Sequence, residues 1–263
     1  MIARDPWLAF ARHTPARIAL GRTGASLPTQ EVLRFALAHA QARDAVHTPF
    51  DAAGVEAQVR ALGFETVQIA SAAPARDVYL RRPDLGRRLA EASRTLLEAA
   101  APGPVDLALV VADGLSSAAV HAQAVPFLAA LKPWIEKENW RISPVCIAAQ
   151  ARVALGDEAG AALKARAVLV MIGERPGLSS PDSLGLYLTF APRPGRTDAE
   201  RNCISNVRAE GLSHDAAAFK LAWLLTEAFR REITGVDLKD ESDALLEDGR
   251  PPLALSAERD DRR

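Results

Sequence analysis

The sequence predicts an α/β protein with a Rossmann-like open parallel sheet flanked by helices. Three short apolar runs, at 105–111, 144–148 and 167–172, carry this prediction. Runs of this length with few charges are typical of strands that are buried on both faces. Helical patterns at 117–138 and 152–164 separate the runs. The alternation of strand and helix indicates crossover connections in a parallel sheet.

The first hundred residues are predicted to be mostly helical. Apolar residues recur at helical spacing after Pro28 and Thr29, and a second apolar series begins at Val55. A brief strand is predicted at 64–69, before another helix that starts at Pro83. We therefore predict a helical N-terminal segment at 1–100, ahead of the α/β domain.

The α/β domain is predicted to span 101–237, because prolines and a glycine at 102–104 interrupt the chain just before its first strand. Alternating apolar residues at 184–190 predict a further strand that continues the sheet. The stretch 199–211 is predicted to be irregular. After a last helix capped by Ser213, the polar segment 238–263 is predicted to be a disordered tail.

Composition excludes several classes of protein. Thirty-two Lys and Arg residues balance 33 Asp and Glu residues, so no strong field would attract nucleic acid or an anionic membrane. No apolar stretch is long enough to span a bilayer, and we expect no secretion leader. Two cysteines exclude a disulfide framework and a four-cysteine zinc site, and they favour the reducing cytosol.

A ligand is expected where the parallel strands end, because neighbouring loops diverge at the carboxyl edge of such a sheet. The loops in question are 112–116, 150–153 and 173–177, and their glycines would let the backbone approach a bulky partner. For Asp113 and Ser116, capping of the next helix is the preferred interpretation. For Glu174, ligand binding and an ion pair with Arg175 or a neighbouring arginine are equally weighted alternatives.

Common catalytic motifs are absent from the sequence. Neither a dinucleotide-binding glycine motif nor a phosphate loop occurs, and the five histidines have no metal-ligand spacing. Cys203 has no activating partner nearby in sequence, so a buried structural cysteine is the default interpretation. No catalytic residue and no metal ligand is predicted in this chain.

Several segments, in the same order along the chain, resemble the small (light) subunit of ethanolamine ammonia-lyase. The matching segments are 16–24, 79–89 (YLRRPDLGRRL), 113–116 (DGLS), 173–178 (GERPGL) and 203–206 (CISN). Each segment alone is a weak signal, whereas their shared order is specific. The resemblance covers most of the chain up to about residue 238.

The resemblance implies a higher hetero-oligomeric complex with a large subunit, in which adenosylcobalamin lies at the junction. The implied reaction converts ethanolamine to acetaldehyde and ammonia through a cofactor-derived radical. The family's corrinoid-contacting positions fall on Val153, Glu174 and Cys203. The cofactor is expected to be base-on, without a cobalt ligand from this chain, because the Asp-x-His-x-x-Gly motif is missing. A cytoplasmic location, inside a bacterial microcompartment in some relatives, is also implied.

Two other hypotheses remain open from the sequence alone. The first is a stand-alone α/β hydrolase or nucleotide-binding enzyme that uses Asp113, Glu174 and Cys203. The second is a non-catalytic scaffold with an empty cleft. Turnover by the chain alone would favour the former, and failure to bind cobalamin with a large subunit would favour the latter.

Overall fold

The computed structural model describes residues 5–14, 16–101 and 103–243. The α-helices are α1 (Thr29–His47), α2 (Ala52–Ala61), α3 (Arg76–Arg81), α4 (Pro83–Gly86), α5 (Glu91–Ala100), α6 (Ser117–Lys137), α7 (Leu155–Ala162) and α8 (His214–Arg231). The strands are β1 (Thr66–Ala70), β2 (Val105–Ala112), β3 (Val145–Ala149), β4 (Ala165–Gly173), β5 (Leu184–Phe190) and β6 (Asn202–Val207). Short 3-10 helices lie at Pro6–His13, Asp198–Glu200 and Gly235–Asp237.

The six strands form one sheet in the order β1-β3-β2-β4-β5-β6. The first four strands in this order are parallel, and helices cover both faces, which confirms the predicted α/β fold class. β1 comes from the predicted helical segment and pairs with β3 at one edge of the sheet. The division of the chain at residue 100 stays a prediction.

The last two strands run antiparallel to their neighbours. The predicted continuation of the sheet at β5 is confirmed, and its reversed direction follows from the short connection after β4. A parallel crossover needs a dozen or more residues, usually including a helix, and 174–183 is shorter than that. The prediction of an irregular stretch at 199–211 was wrong, because β6 occupies Asn202–Val207. Its buried residues do not alternate, so the period-two signal of a strand is missing.

The two faces of the sheet are covered unequally. One face packs against α2, α6 and α8 around a large apolar cluster that includes Leu107, Phe127 and Leu225. The opposite face packs against α5 and α7, and its cluster extends only as far as the partly buried Tyr187 on β5. Cys203 lies directly opposite Tyr187 on β6 and is exposed. The second face is therefore open over its antiparallel end.

The segment after α8 packs onto the domain as far as it is described. Leu238 and Ser242 are buried, and Lys220 forms ion pairs with Asp240 and Asp243. The remainder of the predicted disordered tail, 244–263, lies outside the described residues. No helix among residues 5–14, 16–101 and 103–243 combines the length and the apolar character needed to cross a membrane.

Candidate functional site

An open cleft of about 430 Å³ lies at the carboxyl edge of the parallel strands. It brings together all three of the loops that the sequence analysis selected. The lining residues are Tyr79, Gly114, Leu115, Arg152, Val153, Ile172, Gly173, Glu174, Arg175 and Tyr187. A cleft of this position and size is the usual place for a ligand in an open α/β sheet.

The floor of the cleft is a crossing of two main chains. The amide of Leu115 donates a hydrogen bond to the carbonyl oxygen of Gly173, at 2.9 Å. A Cβ atom on Gly114 would overlap that carbonyl, and one on Gly173 would overlap the carbonyl of Ser116. Gly114 also has a φ of 58°. The two glycines are therefore required by this main-chain crossing, and the expectation that they also let a bulky partner approach stays a prediction.

Asp113 and Ser116 play different parts. Ser116 caps α6, because its hydroxyl accepts a hydrogen bond from the Ala119 amide at 3.2 Å. Asp113 is not a cap: its carboxylate is fully buried, accepts the Ala151 amide at 2.9 Å and lies 3.3 Å from the guanidinium of Arg76. Burial raises the pKa of Asp113, although the Ala151 amide and Arg76 act in the opposite direction. Asp113 thus ties the loop after β2 to the loop after β3.

Tyr79 forms one wall of the cleft. Its ring is fully buried, and its hydroxyl donates to the carbonyl of Ala151 at 3.1 Å. The guanidinium carbon of Arg152 lies 4.4 Å from the ring centroid, and that of Arg76 lies 4.9 Å from it. In the sequence analysis, Tyr79 enters only as part of the segment 79–89 that carries the family resemblance, and no contact was predicted for it. The sequence feature that could have pointed to Tyr79 is a single aromatic residue two positions before a pair of arginines, Arg81 and Arg82.

Arg81 and Arg82 lie on a solvated surface. Arg81 pairs with Asp77 at 2.6 Å, and Arg82 pairs with Asp84 at 2.7 Å. All four of these side chains are more than half exposed. Exposed pairs of this kind add little to stability.

Glu174 is oriented by partners other than Arg175. Its Oε2 atom accepts hydrogen bonds from the Ser183 hydroxyl and from the Asn206 amide, the latter at 3.3 Å. Within the described part of the chain no salt bridge joins it to Arg175 or to another arginine, so the ion-pair alternative was wrong. Its side chain lies over Gly185, where a Cβ would come within 3.0 Å of Glu174 Cγ. The carboxylate is held in place while its Oε1 atom keeps acceptor capacity for a ligand.

Cys203 is exposed, which contradicts the default interpretation of a buried structural cysteine. It lies beside Tyr187, which lines the cleft. Desolvation of the thiol raises the pKa of Cys203, although the hydrogen bond from Tyr187 lowers it. The group therefore stays a neutral thiol near pH 7 and is a poor nucleophile.

The three residues predicted to contact a corrinoid are brought to one region. Val153 and Glu174 line the same cleft from loops on its two sides, and Cys203 adjoins it through Tyr187. Val153 packs partly against the smaller apolar cluster and presents an apolar surface just before α7. No histidine is among the lining residues, and the described residues contain no group of three or more His, Cys, Asp or Glu placed to hold a metal ion.

The fold and the cleft define an α/β protein with a preformed cleft at the carboxyl edge of its sheet. A family model for ethanolamine ammonia-lyase light chain (EutC) matches residues 4–239. The chain belongs to this family.

Curated relatives agree along nearly the whole chain. The ethanolamine ammonia-lyase small subunit of Ralstonia nicotianae is 57% identical over 97% of this chain and 96% of its own length. The small subunit of Pseudomonas syringae pv. tomato is 59% identical over 90% of this chain and 84% of its own length. That of Pseudomonas aeruginosa is 56% identical over 95% and 93% respectively.

Proposed function

We propose that this chain is the small subunit of an adenosylcobalamin-dependent ethanolamine ammonia-lyase and binds the corrinoid at its cleft, against a large subunit. One observation carries the proposal: Val153 and Glu174, which the family resemblance assigns to corrinoid contact, line a single cleft. Cys203, the third assigned position, lies beside Tyr187 in that lining. These residues come from three loops or strands that are distant in sequence.

The residues of the cleft fit the edge of a corrin ring. The ring is bordered by amide side chains, whose N–H groups can donate to the free Oε1 atom of Glu174. Val153 offers apolar contact to the ring itself. Adenosylcobalamin is larger than the ligands that a cleft of about 430 Å³ encloses, so most of it would lie against a second surface. This supports a shared site between this chain and a large subunit.

The lining of the cleft contains one carboxylate, that of Glu174, which we assign to binding, and neither a histidine nor a lysine. Cys203 is a neutral thiol, Asp113 is buried in contacts with Ala151 and Arg76, and no histidine lines the cleft. The bound cofactor supplies radical chemistry, and this chain orients it and excludes water from its edge. The conversion of ethanolamine to acetaldehyde and ammonia would therefore use reacting groups on the large subunit.

The same contacts disfavour the stand-alone enzyme. That hypothesis needs Asp113, Glu174 and Cys203 to act on one substrate, but Asp113 is fully buried and does not line the cleft. Higher hetero-oligomeric assembly and a cytoplasmic location stay predictions. Residence in a microcompartment rests on the family resemblance alone.

Co-expression with a large subunit tests the proposed function. We expect no acetaldehyde from ethanolamine with this chain alone, and cobalamin-dependent formation of acetaldehyde by the complex. Activity of the isolated chain, or a complex that binds no cobalamin, would contradict the proposal.

Two variants test the site itself. Glu174→Ala should weaken cobalamin binding by the complex about 10- to 100-fold, the usual value of a hydrogen bond to a charged group. Glu136→Ala, on the exposed far end of α6, is the control and should bind cobalamin as the wild type does. Equal affinities in a spectral titration of all three proteins would remove Glu174 from the site.

A further inference from the structure

The loop after β3 contains buried polar atoms without partners. Two buried side-chain atoms in the described part of the chain lack a hydrogen bond, and both belong to this loop: Gln150 Oε1 and Arg152 Nε. Gln150 does not line the cleft, whereas Arg152 does. A buried N–H donor without an acceptor costs about 1–3 kcal/mol, so such groups usually mark a bound water or ligand.

The guanidinium of Arg152 also has no anionic partner. Among the described residues, its side chain forms neither a salt bridge nor a hydrogen bond, and its guanidinium stacks on the ring of Tyr79. Arg76, on the same ring, differs because it pairs with Asp113 and donates to the carbonyls of Gly114 and Val46. Arg152 is thus a positioned cation whose donors are unused.

The main chain and the tyrosine ring fix the position of this cation. The Arg152 amide donates to the Gly86 carbonyl at 2.7 Å, and a Cβ on Gly86 would come within 3.0 Å of Arg152 Cγ. Tyr79 packs against the same glycine. The side chain therefore loses little further freedom when it binds a ligand.

We propose that Arg152 binds the phosphodiester of the nucleotide loop of cobalamin. This inference rests on the proposed function. The phosphodiester is the anionic group of cobalamin, whereas the substituents of the corrin ring are neutral amides. A guanidinium with unused donors binds phosphate oxygens most strongly of these choices, through paired charge-assisted hydrogen bonds. Glu174, whose carboxylate would repel a phosphate, then faces the amides on the other side of the cleft.

Corrinoids of different length test this assignment. Cobalamin carries the phosphate, ribose and base; cobinamide phosphate carries the phosphate alone; cobinamide carries none of the three. Each is titrated into the complex of this chain with the large subunit, for the wild type and for Arg152→Met, Arg152→Lys and Arg82→Ala. Methionine keeps an apolar stem over Tyr79, and Arg82 is an exposed arginine outside the cleft lining.

Arg152→Met should weaken binding of cobalamin and of cobinamide phosphate about 10- to 100-fold, and leave the affinity for cobinamide within about twofold of the wild type. Arg152→Lys should recover part of the loss, and Arg82→Ala should behave as the wild type.

Equal losses for all three corrinoids would overturn the phosphate assignment, because Arg152 would then act on the ring or on the shape of the cleft. Undiminished binding of every corrinoid by Arg152→Met would also overturn it. Failure of the wild-type complex to bind any corrinoid would instead contradict the proposed function, and the Arg152 assignment with it.

Discussion

Arg201 and Asp157 form a buried bidentate ion pair that joins the residue just before β6 to α7. The two nitrogen–oxygen distances are 2.6 and 2.8 Å, and both side chains are 2% exposed. The guanidinium also donates to the Thr189 hydroxyl and to the Arg196 carbonyl. Arg201 stands two positions before Cys203, and Asp157 four positions after Val153. The pair therefore fixes the distance between two of the proposed corrinoid contacts.

Removal of one member of this pair should destabilise the fold strongly. Arg201→Ala leaves the Asp157 carboxylate buried without its partner, and we expect the free energy of unfolding to fall by about 3–5 kcal/mol. Arg82→Ala, at an exposed pair, should change it by less than about 1 kcal/mol. Urea unfolding followed by circular dichroism measures both values. A similar small effect for the two variants would show that the buried pair contributes little.

A comparison of alanine substitutions at Gly114 and Gly24 distinguishes the cost of a positive φ from the cost of steric overlap. Their φ values are 58° and 62°, but a Cβ on Gly24 meets no atom within 4 Å, whereas one on Gly114 overlaps the Gly173 carbonyl. Gly24→Ala should cost about 1 kcal/mol through its positive φ. Gly114→Ala should cost at least about 2 kcal/mol more in thermal unfolding, because the main-chain crossing must open. Equal costs would mean that the crossing adapts to a methyl group.

The two cysteines should react very differently with a thiol reagent. Burial raises the pKa of Cys146 to about 12, and Cys203 is exposed with a less strongly raised pKa. We expect one thiol, that of Cys203, to react slowly in the native protein, at a rate that rises with pH as the thiolate forms. Cys203→Ser should abolish this reaction. A second thiol that reacts without denaturant would contradict the buried position of Cys146.

Glu200 should contribute to stability at neutral pH and lose that contribution in acid. The Thr197 amide and the Arg196 guanidinium lower the pKa of Glu200 from 4.5 to about 2. A lowered pKa in the folded state means that its stabilisation is present above pH 4.5 and disappears as the pH falls to about 2. Glu200→Gln should therefore flatten the acid side of the stability profile, as followed by urea midpoints. Glu98→Gln, at an exposed position on α5, is the control and should keep the wild-type slope.

The parallel strands could be predicted from the sequence, because strands that are buried on both faces consist of continuous apolar runs. β2, β3 and β4 each lie within or beside such a run, and the loops that follow them meet as the topology requires. β6 was missed because its exposed and buried residues follow no simple alternation, and its pairing with β5 includes a shift of register. The pairing of β6 with β5 stabilises this strand, whereas its own sequence has no hydrophobic alternation that would indicate a strand.

The candidate site was predictable in its loops but not in its contacts. Glu174 and Val153 were selected through the family resemblance and through their place after strands. Asp113 was misread because its partner, the Ala151 amide, is distant in sequence. The missing hydrogen-bond acceptor at Arg152 Nε likewise could not be predicted from the sequence, because it depends on how the loop packs against Tyr79.

The hydrogen bond between the Leu115 amide and the Gly173 carbonyl divides substitutions in these loops into two kinds: those that move the loops and those that change only the lining of the cleft. It joins main-chain atoms, so it is compatible with any residue except proline at position 115 and requires that Gly114 and Gly173 remain glycine. The residues around the rim, such as Val153 and Arg175, can then be replaced one at a time while the loops that carry them keep their positions. Homologous proteins could therefore change the ligand selectivity of the cleft through single substitutions, and each intermediate protein would remain folded.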